Sequence, residues 1–348
     1  GAETTFIVST NLYKTKISSA SGGSHKDFTV LELDGHNYKY LGAYVSENDS
    51  IFYDLLAPVA LLKNNNSPCT PCLGSTKHDI FLDDNFILTS NNNPQILSGN
   101  ALEVFIDEGD SLIVEYKYID EDYDVVKKLI FYGNNYIINH EFEINKLPPF
   151  FAGNYEIIWG GGLNPAESIE SEDISYGGAY LGIDGGIEYI SQTGKDEIKR
   201  EIFDLGIEWM GIRNKYFAMV LVPDNNALSG SLASVNTDFM ERTLTPLYSS
   251  SLGFNNLSHS TVKTKLYLGP LRINNVESLH HGVDQMMNFG WKIIQPISKV
   301  VLWFLVFMHT SLNLNYGIVL IIFAFIIRII TGPLIKKSYE SSQKMQKI

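Results

Sequence analysis

The run from Leu312 to Leu334, with "YGIVLIIFAFIIRIITGPL" at its heart, constrains this chain more than any other feature. As a helix its 23 residues reach roughly 34 Å, enough to cross a hydrocarbon core of about 30 Å with some tilt. One transmembrane span is therefore predicted. Lys336 and Lys337 follow at once, so the positive-inside rule places that end in the cytoplasm and everything before the span outside. Arg328 resists this reading. A charge inside a bilayer helix costs about 2.5–3.5 kcal/mol on insertion scales. Two readings stand. Arg328 lies six residues before Leu334, so its guanidinium can snorkel to the inner headgroups from ~9 Å deep. Alternatively it faces a polar, water-filled groove between helices and attracts acidic groups on a passing ligand.

The formal net charge is −13 over 348 residues. Residues 291–348 hold seven basic residues against the single acid Glu340, a net of +6, which leaves −19 on the first 290. An acidic body with a short, basic, apolar tail argues against nucleic acid as the partner of the body. It suits a soluble domain tethered to a lipid bilayer. The opening "GAETTFIVST" has neither a basic n-region nor an apolar h-region. An export signal is thus expected upstream, and the chain is expected to be a piece of a longer protein at both ends.

From residue 5 to about 270 the pattern is short alternating segments with turn punctuation. "SLIVEYKYI" sets Leu112, Val114, Tyr116 and Tyr118 on one face. "KLIFYGNNYIINHEFEI" reads as a hairpin turning at Gly133-Asn134-Asn135, its second arm alternating Tyr136, Ile138, His140, Phe142 and Ile144 against polar neighbours. "KYFAMVLVP" and "TVKTKLYLGP" are further strands. The fold class expected is mainly β, a large two-sheet sandwich.

After Pro270 the spacing turns helical. Ile293, Ile294, Ile297, Val300, Val301, Phe304, Leu305 and Met308 recur on one face, and Trp291 and Trp303 carry amphipathic rings favoured at headgroup level. An interfacial helix is predicted, with a core helix of the β-domain as the alternative. The expected organisation is a β-domain over 1–272, a linker and interfacial helix over 273–311, the span over 312–334 and the start of a cytoplasmic hairpin over 335–348.

Other chemistry finds little support. Cys69 and Cys72 in "SPCTPCLG" fit a local disulfide or idle thiols better than a redox centre or half of a metal site. Asp120, Asp122 and Asp124 have the spacing of a calcium loop, but Val125 stands where such a loop needs Gly. Glu170, Glu172 and Asp173 could supply a glycosidase carboxylate pair. His280 and His281 are adjacent and would point apart on a helix, a poor metal geometry. His140 reads as a hydrogen-bonded core residue. No cofactor is expected.

The tail has a recognisable order. "LYLGP" (266–270), "GWKIIQPISKVVLWF" (290–304) and "NYGIVLIIFAFIIRIITGPLIKKSYESSQKM" (315–345) resemble the YidC/Oxa1/Alb3 family of membrane protein insertases in its bacterial form. "EWMGIRNKYFAMVLVP" (208–223) and "STNLYKTKISSASGGSHKDFTVLEL" (9–33) are similar to strands of that family's periplasmic domain. The resemblance implies a periplasmic β-supersandwich, a fold shared with sugar-mutarotase-like enzymes, ahead of a five-helix core in the bacterial inner membrane. It implies that Arg328 binds substrate in a hydrophilic groove, drawing in the acidic, outward-bound part of a nascent membrane protein without covalent chemistry, so that the protein is not an enzyme. It implies the Sec translocon as a partner, and the ribosome through further cytoplasmic parts. A membrane-anchored periplasmic binding module is the alternative, and a tethered carbohydrate-active enzyme a more distant one.

Overall fold

Alternation in the sequence becomes layering in space. The computed structural model describes all residues except 48–49, 63–68, 94–102, 152, 169, 192–197, 240–242, 256–259, 288–294 and 346–348. The chain divides into two units, Gly1–Met286 and Met287–Ile348.

One layer of the first unit is a nine-stranded antiparallel sheet. Its order is Ile87–Asn91, Ser111–Ile119, Asp124–Tyr132, Ile137–Lys146, Ser260–Pro270, Phe217–Pro223, Ile207–Arg213, Gly178–Ile183 and Gly186–Ile190. The hairpin turns where "GNN" predicts it, between Tyr132 and Ile137. Ile138, His140, Phe142 and Ile144 are all buried, as period-two alternation requires of a half-buried strand.

The second layer differs from a single facing sheet. Tyr13–Ser18 and Ser24–Val30 belong to a five-stranded sheet, while Asn154–Trp159, Thr243–Asn255 and Ser229–Phe239 belong to a six-stranded one. The five-stranded sheet covers the early strands of the large sheet, with Tyr13 against Tyr136 at 6.3 Å between ring centroids. The six-stranded sheet covers the later ones, where the Tyr248 hydroxyl donates to the Gly177 carbonyl. Trp159 and Trp209 are fully buried.

The turn joining Tyr13–Ser18 to Ser24–Val30 explains its two glycines. Ser21, Gly22 and Gly23 all have positive φ, and a Cβ on Gly23 would lie 2.7 Å from the Leu129 side chain. This close approach carries the Ser21 carbonyl into the core.

Helix α1 (Glu170–Tyr176) and helix α2 (Ile273–Glu277) are short. Val276 within α2 and Leu279, Val283 and Met286 past it are buried, so this stretch packs on the body beyond residue 272. His280 and His281 are not helical, contrary to their expected setting. Both lie in a left-handed turn, where the Trp209 indole donates to the His281 carbonyl at 2.8 Å and pins it. The Arg213 guanidinium likewise donates to the Met286 carbonyl at 2.5 Å. Gly290, Trp291, Ile293 and Ile294 lie outside the described residues.

In the second unit, helix α3 (Gln295–Leu312) turns through Asn313 into helix α4 (Tyr316–Met345). Asn313 takes the left-handed conformation that Asn tolerates best after Gly. Asn315 caps α4, its side-chain oxygen accepting the Gly317 N–H at 2.8 Å.

Candidate functional site

Arg328 lies on α4, which is the one helix among the described residues long and apolar enough to cross a membrane, over Tyr316–Pro333. Within it Arg328 stands about 18 Å from Tyr316 and about 7.5 Å from Pro333 along the axis. Ala324, Thr331 and Gly332 share its face at helical spacing. Pro333 has no N–H, so the Ile329 carbonyl four residues back loses its helical partner. Thr331 donates its hydroxyl to the Ile327 carbonyl at 2.7 Å, a back-bond that tends to bend helices. A guanidinium and a released carbonyl therefore sit at the same depth. Arg328 is exposed and makes no ion pair among the described residues. In lipid, both groups call for water or a polar partner.

Helix α3 packs antiparallel on α4. The Phe304 and Phe323 rings meet at 6.0 Å, and the His309 ring stacks on Tyr316 at 3.9 Å while its Nδ1 donates to the Leu314 carbonyl. Its other face shows Ile297, Val300 and Trp303 exposed. That apolar exposure suits a helix in contact with lipid.

A second polar constellation lies in the β-body. Lys127, 1 % exposed, falls in phase with Val125 and Leu129 on the inward face of its strand. Its Nζ donates to the Pro71 carbonyl at 2.7 Å and the Ser21 carbonyl at 3.1 Å. Burial pushes the ammonium down to about 7. A neutral amine keeps two N–H donors, the number these carbonyls use. Beside it the Thr15 hydroxyl donates to the Asp27 carbonyl and accepts from His25 Nδ1 at 3.0 Å. His25 Nε2 then faces His140 Nε2 at 3.5 Å. Burial, with Lys127 adding to it, pushes His25 down to about 3 and His140 well below the ordinary imidazole range. His140 is a core residue, as expected, but its Nδ1 has no hydrogen-bond partner among the described residues. Sequence reasoning passed over Lys127, although its strand phase was the available signal.

Cys69 and Cys72 are joined as a disulfide, with Cα atoms 4.5 Å apart. Asp120 accepts the Asp122 and Tyr123 N–H groups in a solvated turn, and Asp124 pairs with Lys117 at 3.7 Å. Asp173 accepts the N–H groups of Ala166, Glu167 and Lys215, while burial raises its carboxyl above the usual range. It holds backbone together. Glu170 and Glu172 have side chains outside the described part. Among the described residues, no three His, Cys, Asp or Glu side chains are placed to hold a metal ion.

The model of the YidC periplasmic domain family matches residues 89–304, well over half of the chain. The chain belongs to the YidC family. A membrane protein insertase YidC from Chlorobaculum parvum is 32% identical over 224 residues, 62% of this chain and 37% of that protein. Another from Chlorobium limicola is 31% identical over 276 residues, 75% of this chain and 43% of that protein. The chain thus spans less than half the length of these YidC relatives. A galactose mutarotase related enzyme from Lactobacillus acidophilus overlaps 76% of this chain and 97% of its own at 8% identity and a TM-score of 0.40, a likeness too slight to carry an argument.

Proposed function

We propose that this chain is the periplasmic body and one membrane-crossing helix of an insertase that helps nascent membrane proteins integrate and fold in the bacterial inner membrane. The observation that carries this reading is membership of a family whose relatives are named as insertases, in a chain whose apolar helix keeps a guanidinium, with no ion pair among the described residues, beside a released carbonyl. Arg328 lines a hydrophilic groove completed by further helices of a multi-pass protein. An acidic, outward-bound segment of a client pauses against it. At about 4 Å and an effective dielectric of about 20, one such pair attracts by ~4 kcal/mol. That offsets part of the cost of leaving water, while the client's apolar stretch moves into lipid. No bond is made or broken. The Sec translocon and the ribosome are partners of the same reading.

The test uses the intact protein in cells depleted of their own insertase. Arg328→Glu lowers client insertion by at least about tenfold, because repulsion replaces attraction. Deleting most of residues 5–200 leaves insertion largely intact, whereas a membrane-anchored binding module would lose its function. Full insertion by Arg328→Glu would reduce Arg328 to a snorkelling side chain.

A further inference from the structure

The end of the β-body where the chain departs carries a concentration of exposed apolar side chains. Strand register defines that end. Phe217 pairs with Pro270, Ala218 with Arg213, and Ile137 with Tyr267, so these residues share one end of the nine-stranded sheet while Ile119 lies at the other. Arg213 holds the Met286 carbonyl there, and Gln295 opens α3 at most about 30 Å of chain later.

Two hairpins cover the same end. Leu33–Asp34 pairs with Asn37–Tyr38, and Leu41–Glu47 with Ser50–Pro58. They are tied down at several points. Arg272 donates to Glu32 and to the Tyr40 hydroxyl, Tyr40 packs on Phe217 at 5.4 Å, and the Tyr53 hydroxyl donates to the Ala166 carbonyl. Yet Leu33, Tyr38, Leu41, Leu55, Leu56 and Tyr216 all remain exposed, Leu55 by 71% and Leu56 by 79%. Leu55 and Leu56 fall where the hairpin's register slips between Leu41 and Ala43, a bulge that leaves both side chains uncovered while Ala43 and Tyr44 on the partner strand are buried. Charge here is negative on balance. Glu32 pairs with Arg272 and Lys39, and Glu167 with Lys215, and the hairpin sequences add Asp34, Glu47, Asp49 and Asp54 as further acids.

We propose that this end of the body, led by Leu55 and Leu56, seats in the interfacial region of the lipid bilayer. Leucines enter the acyl boundary and tyrosines lie at headgroup level, the distribution favoured for such side chains. The chain leaves the body here toward an apolar span, which brings this end close to lipid. Contact rests on apolar burial, so zwitterionic lipid suffices. The proposal depends on α4 crossing the membrane.

The experiment uses the full chain in phosphatidylcholine vesicles, with an environment-sensitive fluorophore on Leu56→Cys, Ile119→Cys or Phe325→Cys. Cys69 and Cys72 are bonded to each other and do not compete for label. Spin-labelled phosphatidylcholine quenches the probe at 56 several-fold more than the probe at 119, and adding Leu55→Asp brings the probe at 56 down to the level of 119. Equal quenching at 56 and 119 overturns the proposal, as does a probe at 56 shielded from aqueous iodide yet untouched by lipid quencher, which marks a protein neighbour such as a second copy. The probe at 325 separates the failures. If it escapes lipid quenching the span itself is wrong; if it is quenched while 56 is not, only the docking is wrong.

Discussion

Two cations in this molecule face the same difficulty and meet it differently. Lys127 sits in a sealed core, where two backbone carbonyls receive its amine and burial pushes its proton affinity down to about 7. Arg328 sits in an apolar helix with no ion pair among the described residues. A lysine can shed its charge when water is removed; an arginine, always protonated in proteins, cannot. The body therefore tolerates a dry cation because the cation can become an amine. If α4 crosses the membrane as proposed, Arg328 has to stay wet there, and a side chain kept charged at that depth is better suited to attracting cargo than to holding a fold together.

The largest expected effect comes from denying the core its escape. Lys127→Arg puts a larger, permanently charged group in the same space and costs more than about 3 kcal/mol of stability. Lys127→Met removes the charge but orphans the Ser21 and Pro71 carbonyls, costing about 1–3 kcal/mol. Denaturant midpoints of the two variants rank them, and equal stability would break the contrast.

The pH dependence follows from the same cluster. His25 binds its proton only near pH 3 when folded, but near 6.5 when unfolded. Below about 6.5 the unfolded chain takes up a proton that the folded chain refuses, so stability is fully present above that pH and is lost progressively toward about 3. Lys127 adds a rise in stability as pH climbs from about 7 toward the unfolded value near 10.4. The thermal midpoint should fall between pH 7 and pH 4, and His140→Phe, which removes one titrating ring, should flatten that slope. A midpoint that rises on acidification would contradict the assignment.

Next in size, Arg328→Lys should retain insertion within about threefold, since a wet groove accepts either cation, and should leave the midpoint of the body unchanged. Smallest is the control. Lys14 and Glu103 pair at 3.0 Å on the surface, and Lys14→Ala should shift stability by less than about 0.5 kcal/mol.

Much of the body was legible because alternation in a strand reports burial directly. The hairpin through Gly133-Asn134-Asn135 and the inward set Ile138, His140, Phe142 and Ile144 were read from spacing alone. Lys127 escaped because its hydrophilic type outweighed its phase, although Val125 and Leu129 bracket it on the buried face. The helical spacing after Pro270 hid two outcomes. Val276 to Met286 packs on the body, whereas Ile297 to Met308 belongs to α3, and periodicity cannot say which neighbour an apolar stripe will find. The α3–α4 pairing through Phe304 and Phe323 was likewise invisible, since contact between helices depends on the turn at Asn313 as much as on composition. Arg328 stood out because a lone charge in an apolar run needs a reason. Its surroundings did not, because the proposed groove would be built by several helices and a sequence shows one at a time.

The most direct measurement is solvent access at position 328. Arg328→Cys in the intact protein, in native membranes, is treated with a membrane-impermeant maleimide from the cytoplasmic side and compared with Phe325→Cys and Ile330→Cys. The account predicts ready labelling at 328 and little at the two flanking positions. Labelling no greater at 328 than at 325 and 330 would mean a lipid-facing residue, and the groove would have to be abandoned.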